Sequence, residues 1–210
     1  MKNLTDILDK NNLKERAFGL AATRTKEALR KLMEEVSINI EVPAPVRTAA
    51  YREEYYVAGG ALVRTLVGNY RVITNETAYS AVSKSFADLD LYQAPWCFSQ
   101  AQQSSHKKTL EFDGKSSKNF AVTHNLKKPI ESDFVRIDKI QLVKPEVMPS
   151  IANIQDALEH FDIDICKSFY YNGVLYVSDS TIDGIINKRL VHSPKTSEHR
   201  LNKYKSILGI

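Results

Sequence analysis

YVAGGALVRTLVG at 56–68 and FADLDLY at 86–92 are the two stretches from which the fold of this chain is best predicted. In the first, an apolar run meets the pair Gly59–Gly60 and then continues with helical spacing, which is typical of a short buried strand that turns into a helix. The second has the length and apolar content of another strand. The glycine pair would place bare backbone N–H groups at a helix start, where phosphate binds readily.

Two carboxylates on the second predicted strand indicate a metal. Side chains alternate between the faces of a strand, so Asp88 and Asp90 should share one face, with Leu89 and Leu91 on the other. Carboxylates on an otherwise apolar strand cost free energy unless something neutralises them, and the usual neutraliser is a divalent cation. Together with the glycine turn, the acid pair indicates a site for a metal–nucleoside triphosphate.

A third carboxylate is expected from elsewhere in the sheet, because phosphoryl or nucleotidyl transfer uses metals held about 3.5–4 Å apart by several acids. The stretch FDIDICKSF at 161–169 offers Asp162 and Asp164, which a strand would again place on one face. Asp138 in RIDKIQ is a weaker choice.

Composition excludes several classes of protein. The 210 residues are 43% hydrophobic and 26% charged with a net charge of +4, an ordinary globular balance that fits one domain or a core with extensions. The cysteines, Cys97 and Cys166, and the dispersed histidines lack the spacing of a zinc site or a disulfide framework. No run approaches the roughly 20 apolar residues of a membrane span, and no apolar signal core is present. We therefore expect a cytoplasmic protein with no membrane partner.

The end of the chain is basic. Six Lys/Arg stand against one acid from Lys188 to the last residue. Such a local excess of positive charge suits a phosphate-bearing partner, and it is equally typical of a solvated surface helix.

The order of the predicted elements indicates an α+β fold in two parts. Residues 1–50 are predicted to form a helical extension and linker, with a helix over 4–36 that ends before the VPAPV segment at 42–46. Residues 51–210 are predicted to form the main domain. Its remaining predicted strands lie at TLEF and NFAVTH with a turn at Gly114, at 133–143, and at 161–171 paired with 174–178 through Asn172–Gly173.

The segments between these strands are predicted as helices and loops. Residues 69–84 are either an insertion or a small helix, and KKPIESD at 127–133 is a loop. Further helices are expected at 151–161 after a Ser150 cap, at 180–190, and at 198–208 after a Thr196 or Ser197 cap.

The glycine pair, the helix with an arginine and the apolar DxD strand resemble the nucleotidyltransferase fold of DNA polymerase beta, CCA-adding enzymes and poly(A) polymerases. More closely, ALEHFDIDICKSFYYNG at 157–173 and HRLNKYKSILGI at 199–210 resemble poorly characterised nucleotidyltransferase-like proteins of large viruses and phages. The resemblance covers roughly residues 54–210. It implies a mixed β-sheet flanked by helices, preceded here by the helical extension. Ala61 departs from the glycine–serine form of the motif, and the segment before Asp88 is longer than in CCA-adding enzymes.

The resemblance also implies roles for individual residues. The catalytic and metal-binding residues would be Asp88, Asp90 and Asp162, with Asp164 as a further metal ligand. The nucleotide-binding residues would be Gly59, Gly60, Arg64, Arg200, Lys203 and Tyr204.

The implied activity is the Mg²⁺- or Mn²⁺-dependent transfer of a nucleoside monophosphate from an NTP such as ATP to a hydroxyl, in the cytoplasm, or in the host cytoplasm if the protein is viral. The acceptor stays open among RNA, including tRNA, a protein and a small molecule. Two alternatives stand beside this expectation. One is a catalytically inactive module of the same fold that serves a viral assembly, and the other is a glycosyltransferase that uses its DxD pair to bind a metal–sugar nucleotide.

Overall fold

The structure is a computed structural model that describes residues 12–37, 55–77, 84–93, 112–117, 121–143, 158–171 and 173–210. Its helices are α1 (Leu13–Ser37), α2 (Gly60–Ile73), α3 (Asp179–Ile186) and α4 (Glu198–Leu208), with a 3-10 turn at Asp164–Cys166. Its strands are β1 (Tyr55–Ala58), β2 (Ser85–Gln93), β3 (Phe112–Ser117), β4 (Ala121–Glu131), β5 (Val135–Val143), β6 (Ser168–Tyr171) and β7 (Val174–Val177). Among these residues, no helix is both long and apolar enough to cross a membrane.

All seven strands belong to one mixed sheet, in the order β3-β4-β5-β2-β1-β6-β7. The pair β2–β5 is parallel, and the other neighbouring pairs are antiparallel. The chain is therefore an α+β protein with a mixed sheet flanked by helices, as the sequence predicts. Strand β2, which carries the acid pair, lies at the centre of the sheet.

Helices α1 and α2 pack together and close one face of the sheet. Helix α1 confirms the predicted N-terminal helix from Leu13 onward, while residues 4–11 lie outside the described residues. Its apolar face is buried in the same core as α2 and the sheet. The two helices are also joined by a buried hydrogen bond, in which Asn69 Nδ2 donates to Thr25 Oγ1 at 3.1 Å.

The structure differs from three predictions in the sheet region, namely a turn, a loop and a strand. Gly114 lies within β3 and not at a turn, next to a shift in the register of the β3–β4 pairing. A residue without a side chain suits the irregular pairing at such a shift. Residues 127–131, predicted as a loop, extend β4, and Pro129 falls in the gap of the β4–β5 ladder where no backbone donor is required. Residues 161–171 are not one strand, because the 3-10 turn intervenes before β6.

Other predictions are confirmed in whole or in part. Ser197 is the N-cap of α4, accepting from the backbone N–H of Arg200, and Gly173 has the positive φ expected of the β6–β7 turn. Helix α3 ends at Ile186, earlier than predicted. Residues 69–73 belong to α2, while residues 78–83 and most of the predicted helix at 151–161 lie outside the described residues.

A close helix–ring contact makes Gly68 a sensitive position. A Cβ added at Gly68 would lie 2.5 Å from Cδ1 of Phe134, although alanine is favoured by about 1 kcal/mol in a helix interior. Overpacking of this kind costs about 1–3 kcal/mol, so we expect Gly68→Ala to lower the free energy of unfolding by about 1 kcal/mol or more in urea denaturation. The control is Phe134→Leu, which makes room. If the contact is responsible, Gly68→Ala should cost nothing further in that background.

Candidate functional site

The acid pair has the predicted orientation at the centre of the sheet. Leu89 and Leu91 are fully buried on the face that α1 and α2 cover, and Asp88 and Asp90 are half-buried on the opposite face. This alternation confirms the arrangement predicted from the sequence, because a regular strand reverses the direction of each successive side chain.

The glycine turn lies directly against Asp90. Residue Ala58 pairs with Asp90 across β1 and β2, and the chain then turns at Gly59, which has φ 79° and ψ −150°. A Cβ at Gly59 would lie 2.5 Å from Asp90 Oδ2. Both the backbone conformation and the carboxylate therefore require glycine at this position. Helix α2 begins at the next residue, so its N-terminal N–H groups start beside the acid pair.

The basic face of α4 lies on the other side of this turn. A Cβ at Gly60 would lie 3.2 Å from Lys203 Nζ, which places that ammonium group at the start of α2. The positive charges of Lys203 and Arg200 both act on Asp90 and lower its pKa. Arg200 and Lys203 also lie over the ring of Tyr204, at 5.5 and 5.7 Å from its centroid. Of the predicted nucleotide-binding residues of α4, Lys203 therefore lies at the glycine turn, and the charges of Lys203 and Arg200 reach Asp90.

The electrostatic balance at Asp90 leaves it poorly compensated. Burial is the largest cause that raises its pKa, and the charge of Asp88 raises it further, so that despite Lys203 and Arg200 the pKa reaches about 7. No ion pair to Asp90 occurs among the described residues. A carboxyl group with this pKa is partly protonated at neutral pH, and a cation brought close to it would stabilise its charged form.

The parallel neighbour of β2, strand β5, places polar side chains and no carboxylate opposite Asp88 and Asp90. In the β2–β5 register Lys139 stands opposite Asp88 and Gln141 opposite Asp90. Gln141 Nε2 donates to Asp88 Oδ2 at 3.2 Å. Asp138, the weaker candidate for a third acid, is the extra residue at the register shift and has no partner across the β2–β5 ladder.

The third carboxylate does not join the pair as expected. Asp162 and Asp164 do not belong to one strand as predicted, because the 3-10 turn begins at Asp164, and their carboxylates have different partners. Asp162 Oδ1 accepts from Arg200 Nε at 3.1 Å, and Asp164 Oδ1 pairs with Lys167 Nζ at 3.1 Å. In the part of the chain that the structure describes, no group of three or more Asp, Glu, His or Cys side chains could hold a metal.

Arg64 has a local role in the structure. It lies one turn after Gly60 on α2, and its Nη1 donates to Ser85 Oγ at 2.9 Å, which ties the helix to the first residue of β2. Burial lowers the pKa of Arg64, and no contact of Arg64 with the acid pair is found among the described residues.

An aromatic cluster on the same face of the sheet as Asp90 was not predicted from the sequence. The rings of Tyr56 and Tyr92 stack at 5.1 Å, Tyr92 meets Phe161 edge-on at 6.0 Å, and Phe169 stacks on Tyr176 at 4.9 Å. Tyr92 lies two residues after Asp90 and therefore on the same face of β2. The alternation that predicts the orientation of the acids could also have predicted that of Tyr92. Burial raises the pKa of Tyr92, so its hydroxyl stays neutral beside the acids.

No protein-family model, curated protein or solved structure matches this chain. The resemblance to nucleotidyltransferases therefore stays a prediction that depends on the motifs of the chain itself.

The raised pKa of Asp90 predicts that its charge destabilises the folded chain at high pH. The folded pKa of about 7 exceeds the ordinary value of 3.8, so the folded state binds the proton more tightly. The stability that this proton binding provides is complete below pH 3.8 and is lost as the pH rises to 7. Asp90→Asn should therefore raise the free energy of unfolding at pH 8 by about 1–2 kcal/mol, and by much less at pH 5, in urea denaturation.

The matched control is Asp164→Asn, because Asp164 is an acid in an ion pair. That variant should be neutral or less stable at pH 8. A loss of stability in Asp90→Asn at pH 8 would contradict the electrostatic description of Asp90.

Proposed function

We propose that the chain binds a nucleoside triphosphate together with a divalent cation and transfers its nucleoside monophosphate to a hydroxyl group, releasing pyrophosphate. The observation that carries the proposal is the meeting of three features from distant parts of the chain: the Gly59–Gly60 turn, the pair Asp88 and Asp90, and the cations of α4. A triphosphate with its cation needs each of these, namely N–H donors, carboxylates and positive charge.

The acid pair fits a cation that arrives with the nucleotide. Mg²⁺ in such sites is usually held by one or two protein carboxylates, with substrate phosphates and water completing its octahedral coordination. Asp88 and Asp90 would be those carboxylates, and the poor compensation of Asp90 is what such a cation would relieve. The bound cation would neutralise phosphate charge. Mn²⁺ suits the same oxygen ligands.

The other residues have roles that follow from their positions. The N–H groups at the start of α2 would bind phosphate oxygens, since a helix N-terminus carries partial positive charge. Arg200 and Lys203 would stabilise the negative charge that grows on the leaving pyrophosphate. The acceptor hydroxyl must reach the α-phosphate in line with that leaving group, and the proposal leaves open whether the acceptor belongs to RNA, a protein or a small molecule.

A second candidate is a nucleotide-binding module without catalytic activity. Two observations favour it. Among the described residues, no third acid joins Asp88 and Asp90 in a group that could hold a metal, and Lys139 and Gln141 stand opposite the pair on β5. Such a module would bind the nucleotide with its metal and release no pyrophosphate.

The test is calorimetric titration of ATP, GTP, CTP and UTP, each with Mg²⁺ or Mn²⁺, into the wild type and into Asp88→Asn/Asp90→Asn. We expect metal-dependent binding in the wild type and a loss of about 100-fold or more in the double variant, because both carboxylates that hold the cation are neutralised. Asp164→Asn is the matched control and should bind as the wild type does. UDP-sugars are titrated in parallel, and exclusive binding of these would indicate glycosyl transfer.

Pyrophosphate release separates the two candidates. Incubation of the wild type with the bound NTP and a mixed RNA, protein and aminoglycoside acceptor pool should release pyrophosphate if the chain is a transferase. Metal-dependent binding without release would favour the inactive module. A folded wild type that binds neither NTPs nor divalent cations would contradict both candidates.

A further inference from the structure

We propose that Asp162 is a positioning residue, which aims Arg200 at the terminal phosphates of the triphosphate and does not bind the metal. This inference rests on the proposed function, because it assigns a role within the same site. It replaces the expectation from sequence that Asp162 is the third carboxylate.

Among the described residues, the side chain of Arg200 is hydrogen-bonded through Nε only. Asp162 Oδ1 accepts from Nε of Arg200 at 3.1 Å, and both side chains are partly exposed, at 33% and 40%. A guanidinium group carries five N–H donors, so this bond leaves the four on its terminal nitrogens for a ligand. The charge of Arg200 acts on both Asp162 and Asp90, which places the guanidinium group near the two.

The backbone of Asp162 also fixes the segment that leads into α4. Its carbonyl oxygen accepts from the N–H of Ser193 at 2.8 Å and from Thr196 Oγ1 at 3.2 Å. Ser197 then caps α4 and accepts from the N–H of Arg200 at 3.4 Å. Main chain and side chain of Arg200 are thus both positioned before any ligand arrives, which lowers the entropy lost on binding.

The ion pair argues for phosphate recognition and against a metal at Asp162. A cation bound by Asp162 would have to displace the guanidinium group or share its oxygens. An arginine anchored through Nε, in contrast, can offer its terminal nitrogens to phosphate in a bidentate contact, for which the planar guanidinium fork is suited. Lys203, at the start of α2, adds a second positive charge on the same side.

Asp164 supplies a control from the same segment. Its carboxylate pairs with Lys167, and its carbonyl oxygen accepts from Thr181 Oγ1 at 2.7 Å. It therefore has a similar structural environment without a contact to α4 among the described residues.

A double-mutant cycle tests the inference by calorimetry. The probe is whichever of ATP, GTP, CTP and UTP the wild type binds most tightly with Mg²⁺, and Mn²⁺ alone is titrated separately. Asp162→Ala and Arg200→Ala should each weaken triphosphate binding about 10-fold, and the double variant should be no weaker than Arg200→Ala, because both remove one interaction. Asp162→Asn keeps an acceptor oxygen for Nε and should lose only about 2–3-fold. Asp164→Ala should match the wild type, and the affinity for Mn²⁺ should be unchanged in every Asp162 variant.

Additive losses in the cycle, or Mn²⁺ binding at least about 10-fold weaker in Asp162→Asn, would overturn the positioning role and restore Asp162 as a metal ligand. Since Asp162→Asn retains the shape and backbone contacts of the residue, it decides the matter even if Asp162→Ala does not fold. A wild type that binds none of the nucleotides and no Mn²⁺ would overturn the proposed function itself, and the positioning role with it.

Discussion

The burial of two like charges on the central strand is the constraint around which the rest of the site is arranged. Asp88 and Asp90 share one face of β2, and that face is partly removed from water. Gly59 leaves room for the Asp90 carboxylate, Gln141 donates to Asp88, and the start of α2 adds partial positive charge. These contacts reduce the cost without removing it, as the pKa of about 7 at Asp90 shows. Proteins commonly give up stability in this way at functional sites, which agrees with the proposed binding of a cation at this pair.

Helix α4 combines an apolar anchor with a charged edge. Tyr204, Ile207 and Leu208 are buried, and Gly209 ends the helix with φ 75°. Tyr204 also shares a hydrogen bond with the buried thiol of Cys166, and burial raises the pKa of both groups. With the helix held by these contacts, Arg200 and Lys203 stay on the side that meets the glycine turn. The part of the predicted basic tail that forms α4 therefore packs against α2 and the core, and it is only partly a solvated surface.

The features that sequence predicts well here depend on neighbours in the chain. Strand alternation orients Asp88 and Asp90, the glycine pair locates the strand-to-helix turn, and Ser197 marks the start of α4. The features that it misses depend on residues far apart. Gln141 reaches Asp88 across 53 positions and Arg200 reaches Asp162 across 38. The apolar alternation of 161–171 resembles a strand, but bonds to the segment at 191–193 and the 3-10 turn override that local preference.

A crystal structure with Mn²⁺ and a non-hydrolysable NTP analogue would show whether Asp88 and Asp90 hold a cation bound to a triphosphate. Anomalous scattering would locate the metal without reference to activity. We expect a Mn²⁺ peak in contact with both carboxylates, with phosphate oxygens at the start of α2 and Arg200 still bonded to Asp162. A peak at Asp162 or Asp164 with none between Asp88 and Asp90, or a nucleotide bound away from Gly59 and Gly60, would contradict it.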